Sequence, residues 1–440
     1  MKRVKEKMAL LKGGSLVSHS LIYVISNLLV AALPLLFLPI LTRYLTPSDY
    51  NTVALFQSIS LFLGSVFGLS VNGYCNINYF SDDRDVGDFS VYVSNGFFLL
   101  VAMGLLLTLV TGLTIILDLR FFGLDGIYLF LFPLAFFCQY AIYLRLGVYQ
   151  VKKRSISYGL LNVTHAILNV LFTVFIVIYL TFGGPGRILA IVAAMVIAML
   201  ISVTTLKREG LLKWQINKIV IWDFVKYGCS YAPIVIVATS IPLIERVLVS
   251  YILGPNKGGM FVVGTQIASG FLIIINSVMT AYSPYVYRRL SQVNMRKSLL
   301  KHLTLEITCF VIFAILTLVV VNSSFFRYVL EVMLPITYHE SIPLSKLLVI
   351  SVFFKVGFMV SSVYFTYEKK NKLLTLIGFV FGSLNLIFFY IYLEDYGLVA
   401  AGIGSIIFKL GSSIALILLL VSYLKRRALI NDYTNERENA

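Results

Sequence analysis

Charge is scarce in this 440-residue chain: Asp, Glu, Lys and Arg together supply 13% of it, against roughly a quarter in ordinary globular proteins. So few charges cannot clothe a soluble domain of this size, and a 59% apolar composition with mean hydropathy +0.90 points to lipid as the solvent. Cysteine is sparse as well. Cys75, Cys138, Cys229 and Cys309 are widely spaced with no C-x-x-C pair, which excludes a disulfide framework and a cysteine metal site and leaves them as packing residues. The four histidines, His19, His165, His302 and His339, lack zinc-ligand spacing, and no nucleophile elbow, P-loop or dinucleotide fingerprint occurs. No cofactor, metal or ATP-driven step is therefore expected. Asp82, Asp83, Asp85 and Asp88 around Arg84 have the composition of an acidic metal cluster, but in so short a connection they read as a solvated turn.

What the chain has in abundance is long apolar runs. A helix needs about 20 apolar residues to cross a bilayer, and twelve such stretches follow one another, near 16–41, 51–73, 91–117, 127–150, 156–180, 188–206, 229–252, 259–283, 303–324, 343–366, 373–393 and 398–424. The first is too long for a signal-peptide core and no small-residue cleavage site follows it, so it is expected to remain as a membrane span.

The net charge of +16 is explained by where the cations fall rather than by nucleic acid, which is not an expected partner. Most of them lie in alternate connections beginning with the amino terminus, in groups such as Lys2–Lys12, Lys152–Arg154, Lys207–Lys226, Arg288–Lys301, Lys369–Lys372 and Lys425–Arg437. The intervening connections hold only Arg43, Arg120, Arg187, Lys257 and Arg327. Basic loops stay in the cytoplasm, so the pattern predicts a multi-pass inner-membrane protein with both termini cytoplasmic and an affinity for anionic membrane lipids.

Connections are short except near 207–228, 284–302 and 325–342. Trp214 and Trp222 both lie in the first of these, among apolar residues and lysines, as expected of a helix at headgroup level. It divides the chain into an amino-terminal six-helix bundle (1–206), a cytoplasmic interfacial linker (207–228) and a carboxy-terminal six-helix bundle with a short tail (229–440). The two halves show a similar hairpin: Tyr44-Leu45-Thr46-Pro47 running on to Gln57, and Tyr251-Ile252-Leu253-Gly254-Pro255 running on to Gln266. Duplicated halves around a midplane site are a recurring transporter design.

Polar groups inside spans carry most of the functional weight, because an unpaired charge at the bilayer centre costs at least about 2.5–3.5 kcal/mol. Lys355 lies mid-span with Ser351 and Ser362 on its face, and Lys409 lies mid-span with Ser405 and Ser412 beside it. Together they form a cationic floor suited to an anionic ligand, unless a carboxylate such as Glu245 neutralises them. Glu245 and Arg246 adjoin near the outer end of the seventh span, after Pro242, and read either as a phosphate-binding cation with a titrating carboxylate or as an ion pair fixing two helices. Arg145 and Lys346 are close enough to span ends to snorkel, with Arg145 kept as a candidate contact. In the amino-terminal half, Tyr158, Asn162, His165 and Asn169 form one stripe on the fifth span, and Ser15, Ser18, His19 and Ser26 share a face of the first. Neutral donors and acceptors of this kind suit sugar hydroxyls as well as helix packing. Gly64 with Gly68, and Gly378 with Gly382, read as close-packing positions.

Leu41-Thr42-Arg43-Tyr44-Leu45-Thr46-Pro47-Ser48-Asp49-Tyr50 resembles the first hairpin of Wzx-type polysaccharide flippases in the MOP (multidrug/oligosaccharidyl-lipid/polysaccharide) exporter superfamily. So do Lys226-Tyr227-Gly228 leading into Ala232-Pro233, then Ile244-Glu245-Arg246 and Tyr251-Ile252-Leu253-Gly254-Pro255, whereas Asn256-Lys257-Gly258-Gly259 departs from the pattern. The resemblance implies an all-α membrane fold of about twelve helices in two pseudo-symmetric bundles around a central cavity. It also implies transport, without catalysis, of undecaprenyl-diphosphate-linked oligosaccharide units of the O-antigen, lipopolysaccharide or capsule type, in the company of polysaccharide polymerase machinery. Two alternatives stand beside it: a MATE-type cation-coupled drug exporter, for which mid-span acidic residues are more natural than the cations found here, and a membrane polymerase or ligase, for which the longest outer connection, about 18 residues, is short.

Overall fold

The computed structural model describes the backbone of residues 2–80, 89–117, 126–291, 308, 312–313 and 315–438, with side chains between 22 and 423. The side chain of His19, the aspartates around Arg84, and residues His302 and Cys309 lie outside the described residues. Every described regular element is helical. In chain order they are α1 (Lys2–Tyr44), α2 (Pro47–Phe67), α3 (Val71–Phe80), α4 (Phe89–Ile116), α5 (Gly126–Val151), α6 (Ser155–Thr173), α7 (Gly183–Arg208), α8 (Lys218–Leu253), α9 (Pro255–Ser291), α10 (Ile315–Asn322), α11 (Ser324–Met333), α12 (Ser341–Tyr367) and α13 (Asn371–Glu438).

Among the described residues ten helices are long and apolar enough to cross a membrane, and α10 with α11, bent by 58°, adds an eleventh crossing. Helix α13 is interrupted at Gly397, whose φ of 58° and ψ of −146° are not helical, so its segments 371–396 and 398–423 are each long enough for a separate crossing. The chain is a multi-pass membrane protein, and the expected runs find their counterparts in these segments except the ninth, 303–324, which lies partly outside the described residues. The chain packs as two units. One comprises Met1–Phe37 with Tyr44–Leu243, and the other Leu38–Arg43 with Ile244–Ala440.

In the first unit the Thr46-Pro47-Ser48-Asp49 sequence is a helix start. The Thr46 hydroxyl accepts from the Asp49 backbone N–H at 3.2 Å and donates to the Asp49 carboxylate at 2.7 Å, Asp49 accepts from the Thr46 backbone N–H, and Pro47 occupies the first turn where no donor is missed. The second expected span is not one straight helix. It ends at Phe67, Leu69 and Ser70 adopt positive φ of 45° and 48°, and the chain resumes as α3. Gly228 on α8 sits against that break: a Cβ there would lie 2.6 Å from Leu69 O and 2.9 Å from Leu69 Cα. Tyr140 of α5 covers Gly68, where a Cβ would lie 2.2 Å from its ring, and donates its hydroxyl to Gly64 O at 2.5 Å. Gly64 and Gly68 are thus close-packing positions, whereas Gly378 is not, since a Cβ there meets nothing within 4 Å.

The headgroup-level helix expected between 207 and 228 is not formed as a separate element. The chain from α7 to Lys218 is irregular, and residues from Lys218 onward are the first turns of α8. Ser94 and Asn95 on α4 hold the irregular stretch. Ser94 donates to Leu211 O at 2.9 Å and accepts from Lys213 N, while Asn95 donates to Gln215 O at 3.1 Å and accepts from Asn217 N at 2.8 Å. These bonds satisfy backbone groups that lack a helical partner, and they leave Trp214 and Trp222 on the surface.

Just past the end of α7, Glu209 gathers three cations: Arg145 at 2.5 Å, Arg154 at 2.7 Å and Lys152 at 3.2 Å. Burial alone pushes the Glu209 carboxyl up, but hydrogen bonds and attraction from Arg145 and Lys152 outweigh it and bring it down from an ordinary value of 4.5 to about 2. Arg145 is only 1% exposed and stacks over Tyr149 at 3.9 Å, so it does not snorkel to the interface; its charge is committed to joining α5 to α7.

Two stability measurements follow, both as thermal melting of the purified full-length protein. Gly228→Ala lowers stability by about 1–3 kcal/mol because backbone, not a flexible side chain, is in the way, while Gly378→Ala is neutral or slightly stabilising; equal effects contradict the packing described. Glu209→Gln costs about 3–5 kcal/mol by leaving Arg145 buried and unpaired. Since the folded carboxyl lies below its unfolded value, the Glu209 contribution is complete above about pH 4.5 and is lost as pH falls toward 2. A wild-type pH profile matched by Glu209→Gln across that window refutes the assignment.

Candidate functional site

Helix α8 carries two internal prolines, Pro233 and Pro242, each of which removes a backbone donor. One turn after Pro242, Glu245 and Arg246 bring opposite charges into the second unit, both partly buried. The Glu245 carboxylate accepts a 2.8 Å hydrogen bond from the side-chain amide of Asn385 on α13. Asn385 is 5% exposed, and Gly404 makes room for it: a Cβ at Gly404 would stand 2.9 Å from Asn385 Oδ1.

Lys355 on α12 and Lys409 on α13 join this group. Lys409, Arg246 and Lys355 all lie within electrostatic reach of Glu245. Lys409 Nζ donates to Ser351 Oγ at 2.9 Å, and Ser351, fully buried, passes the bond on to Leu348 O at 2.7 Å. The serine expected beside Lys355 therefore serves Lys409 instead. Neither lysine makes a contact ion pair with a carboxylate among the described residues, and Lys355 makes no hydrogen bond to any of them. Both lysine residues are partly rather than fully buried. One carboxylate faces three cations, so the cluster is positive overall and has donors to spare.

The backbone under the cluster is pinned. Ser413 of α13 accepts from Phe358 N at 3.0 Å and donates to Phe354 O at 2.6 Å, a carbonyl and an amide of α12 four residues apart on either side of Lys355. The bridge ties the α12 ladder to α13 beside Lys355, and so helps set where Lys355 stands relative to Lys409.

In the first unit the stripe on α6 divides among three environments. Tyr158 OH and Asn162 Nδ2 both donate to Asn27 Oδ1 of α1, each at 3.1 Å. His165 turns its Nε2 into a buried position with no hydrogen-bond partner. Asn169 is taken up by packing: its Oδ1 accepts from Arg187 of α7 at 2.5 Å, and Arg187 also donates to Thr173 at 2.6 Å, next to the π-helical turn Val174–Tyr179. A stripe on one helix meets different neighbours along its length, which a helical wheel does not show. Asn385, Asn27 and Arg187 were not among the sequence candidates. An uncharged amide inside an apolar run was the available signal for the first two, and Arg187 was counted with an outer connection although it lies in the second turn of α7. Among the described residues no group of His, Cys, Asp and Glu is arranged to hold a metal ion.

No protein-family profile matches the chain. Over 284 residues it is 26% identical to an uncharacterized membrane protein of Haemophilus influenzae, covering 63% of this chain and 67% of that one. Its structure is similar to the inward-facing conformation of a multidrug resistance MATE family transporter of the MOP superfamily, with a TM-score of 0.72 and 15% identity over 90% of this chain and 95% of the other. It is also similar to an outward-facing structure described in the same terms (TM-score 0.59, 16% identity, 92% and 95% covered). A third likeness is to a MOP superfamily transporter from Pyrococcus furiosus for which reverse polarity of the binding pocket suggests a different function (TM-score 0.57, 16% identity, 92% and 95% covered). The chain therefore has the all-α fold of the MATE transporters.

Proposed function

We infer that this protein is a transporter, not an enzyme, that moves polyprenyl-diphosphate-linked oligosaccharide from the inner to the outer leaflet of a bacterial cytoplasmic membrane by alternating access. The observation that carries this reading is the cation excess at Arg246, Lys355 and Lys409 around one carboxylate already engaged by Asn385. Cations in excess of carboxylate in an apolar setting bind a diphosphate by charge-assisted hydrogen bonds, each worth about 1.5–3 kcal/mol. The sugar needs neutral donors, and the lipid tail stays in the bilayer. On this reading both termini are cytoplasmic, the basic connections rest against anionic headgroups, and the chain works beside polysaccharide polymerase machinery. The fold supports a transporter, and the reverse polarity of the binding pocket described for the Pyrococcus furiosus protein is in keeping with a cation-rich site on this fold.

A second reading, a MATE-like cation-coupled exporter, is favoured by one specific feature: Glu245, a carboxylate within a span, hydrogen-bonded by a buried amide. There it would bind the cationic substrate or coupling ion.

The two part in a deletion strain complemented with wild-type, Lys355→Ala or Lys409→Ala protein at matched abundance. The flippase reading predicts lipid-linked repeat units trapped on the inner leaflet and export reduced about tenfold or more by either variant, the loss of one charge-assisted contact. Unpolymerised units already on the outer face indicate a polymerase. Drug sensitivity with normal surface polysaccharide indicates the exporter.

A further inference from the structure

A second polar site lies wholly within the first unit. A cavity of about 310 Å3 is lined by side chains of α1, α3, α5 and α6, among them Asn27, Asn72, Asn76, Gln150, Tyr158 and Asn162, and no charged residue lines it. Five amides around one cavity of a membrane protein need an explanation, because each carries donors and acceptors that lipid cannot satisfy. Helix packing accounts for some of them: Asn76, with its amide nitrogen toward α5, reaches Gly147 O at 3.3 Å, and Gly147 has no Cβ to block it.

The remaining groups are left over. Tyr158 and Asn162 spend their donors on the same acceptor, Asn27 Oδ1, which leaves the Asn27 amide nitrogen and the Asn162 oxygen without a partner among the described residues. Gln150 is exposed and its side-chain amide makes no hydrogen bond to any of them. Unpaired donors and acceptors, alternating, uncharged and beside a tyrosine ring, are the complement of a polyhydroxylated ring; a phosphate or an organic cation finds no counter-charge there. The volume falls at the low end of the roughly 300–1,000 Å3 range of small-molecule sites, enough for roughly one or two sugar rings.

We propose that this amide-lined cavity is a binding subsite for an uncharged sugar, made of residues distinct from the cationic cluster that takes the diphosphate. The proposal rests on the transport reading above: Asn27, Asn162 and Gln150 suit a neutral ring, and charge is left to Lys355 and Lys409.

The test uses full-length protein in lipid nanodiscs, which carry no sugar detergent, and two probes, N,N′-diacetylchitobiose and inorganic pyrophosphate. Asn162→Ala and Gln150→Ala are each expected to weaken disaccharide binding about fivefold or more, the loss of one neutral hydrogen bond, and to leave pyrophosphate binding unchanged; Lys409→Ala does the reverse. Gln150→Ala removes no internal bond, so misfolding does not cloud its result. Disaccharide binding that is absent from the wild type, or undiminished in both amide variants, while pyrophosphate still requires Lys409, overturns the subsite and leaves the transport reading standing. Pyrophosphate binding that is absent or indifferent to Lys409 overturns that reading, and the division of labour with it.

Discussion

Everything functional in this chain follows from the cost of holding charge in an apolar medium. Three cations and one carboxylate lie within membrane-crossing helices in the second unit, and the carboxylate is too few by two. Each excess cation loses hydration that the protein returns only in part, through Ser351 for Lys409 and through no direct hydrogen bond for Lys355. A fold tolerates such an arrangement where water or a ligand completes the shell, and both lysine residues are only partly buried. The Arg145–Glu209 cluster shows the opposite solution. There three cations converge directly on one carboxylate, at distances of 2.5–3.2 Å, and the result is a tie between helices.

The scaffold that holds these groups is built from small residues and backbone bonds. Gly228 lets α8 reach the backbone at the broken helix Phe67–Val71, Gly68 lets Tyr140 cover it, and Ser413 crosses from α13 into the hydrogen-bond ladder of α12 beside Lys355. In lipid, where apolar association between helices drives little, contacts of this kind decide where elements meet. They also explain sequence features that otherwise look like family ornament. Thr46-Pro47-Ser48-Asp49 is a capping box, and the glycine of Lys226-Tyr227-Gly228 is a point of backbone contact.

That the chain crosses a membrane many times was legible in the sequence because apolar runs of about 20 residues have few other uses. Lys355, Lys409 and the adjoining Glu245 and Arg246 were legible for the same reason, as charges inside such runs. Their pairings were not. Which serine meets which lysine depends on helix rotation, and Ser351 turned out to serve Lys409 rather than Lys355. The break at Leu69 and Ser70 was hidden because neither residue favours positive φ; Gly228, lacking a Cβ, leaves room for it. The amide cavity draws on four helices widely separated in sequence, so only Tyr158 and Asn162, which share a helix, were visible as a pattern. Asn169 belonged to that pattern and is nonetheless held by Arg187, a residue that charge counting had placed outside the span.

The most direct test of the central claim asks which sign of charge the second unit prefers and what Glu245 contributes to that choice. Binding of inorganic pyrophosphate and of tetraphenylphosphonium would be measured on purified wild-type and Glu245→Gln protein. A cation-rich site built for an anion binds pyrophosphate and binds it about tenfold more tightly once the competing carboxylate is neutralised, a gain of about 1.4 kcal/mol. Tight tetraphenylphosphonium binding that disappears in Glu245→Gln, with no affinity for pyrophosphate in either protein, would contradict it.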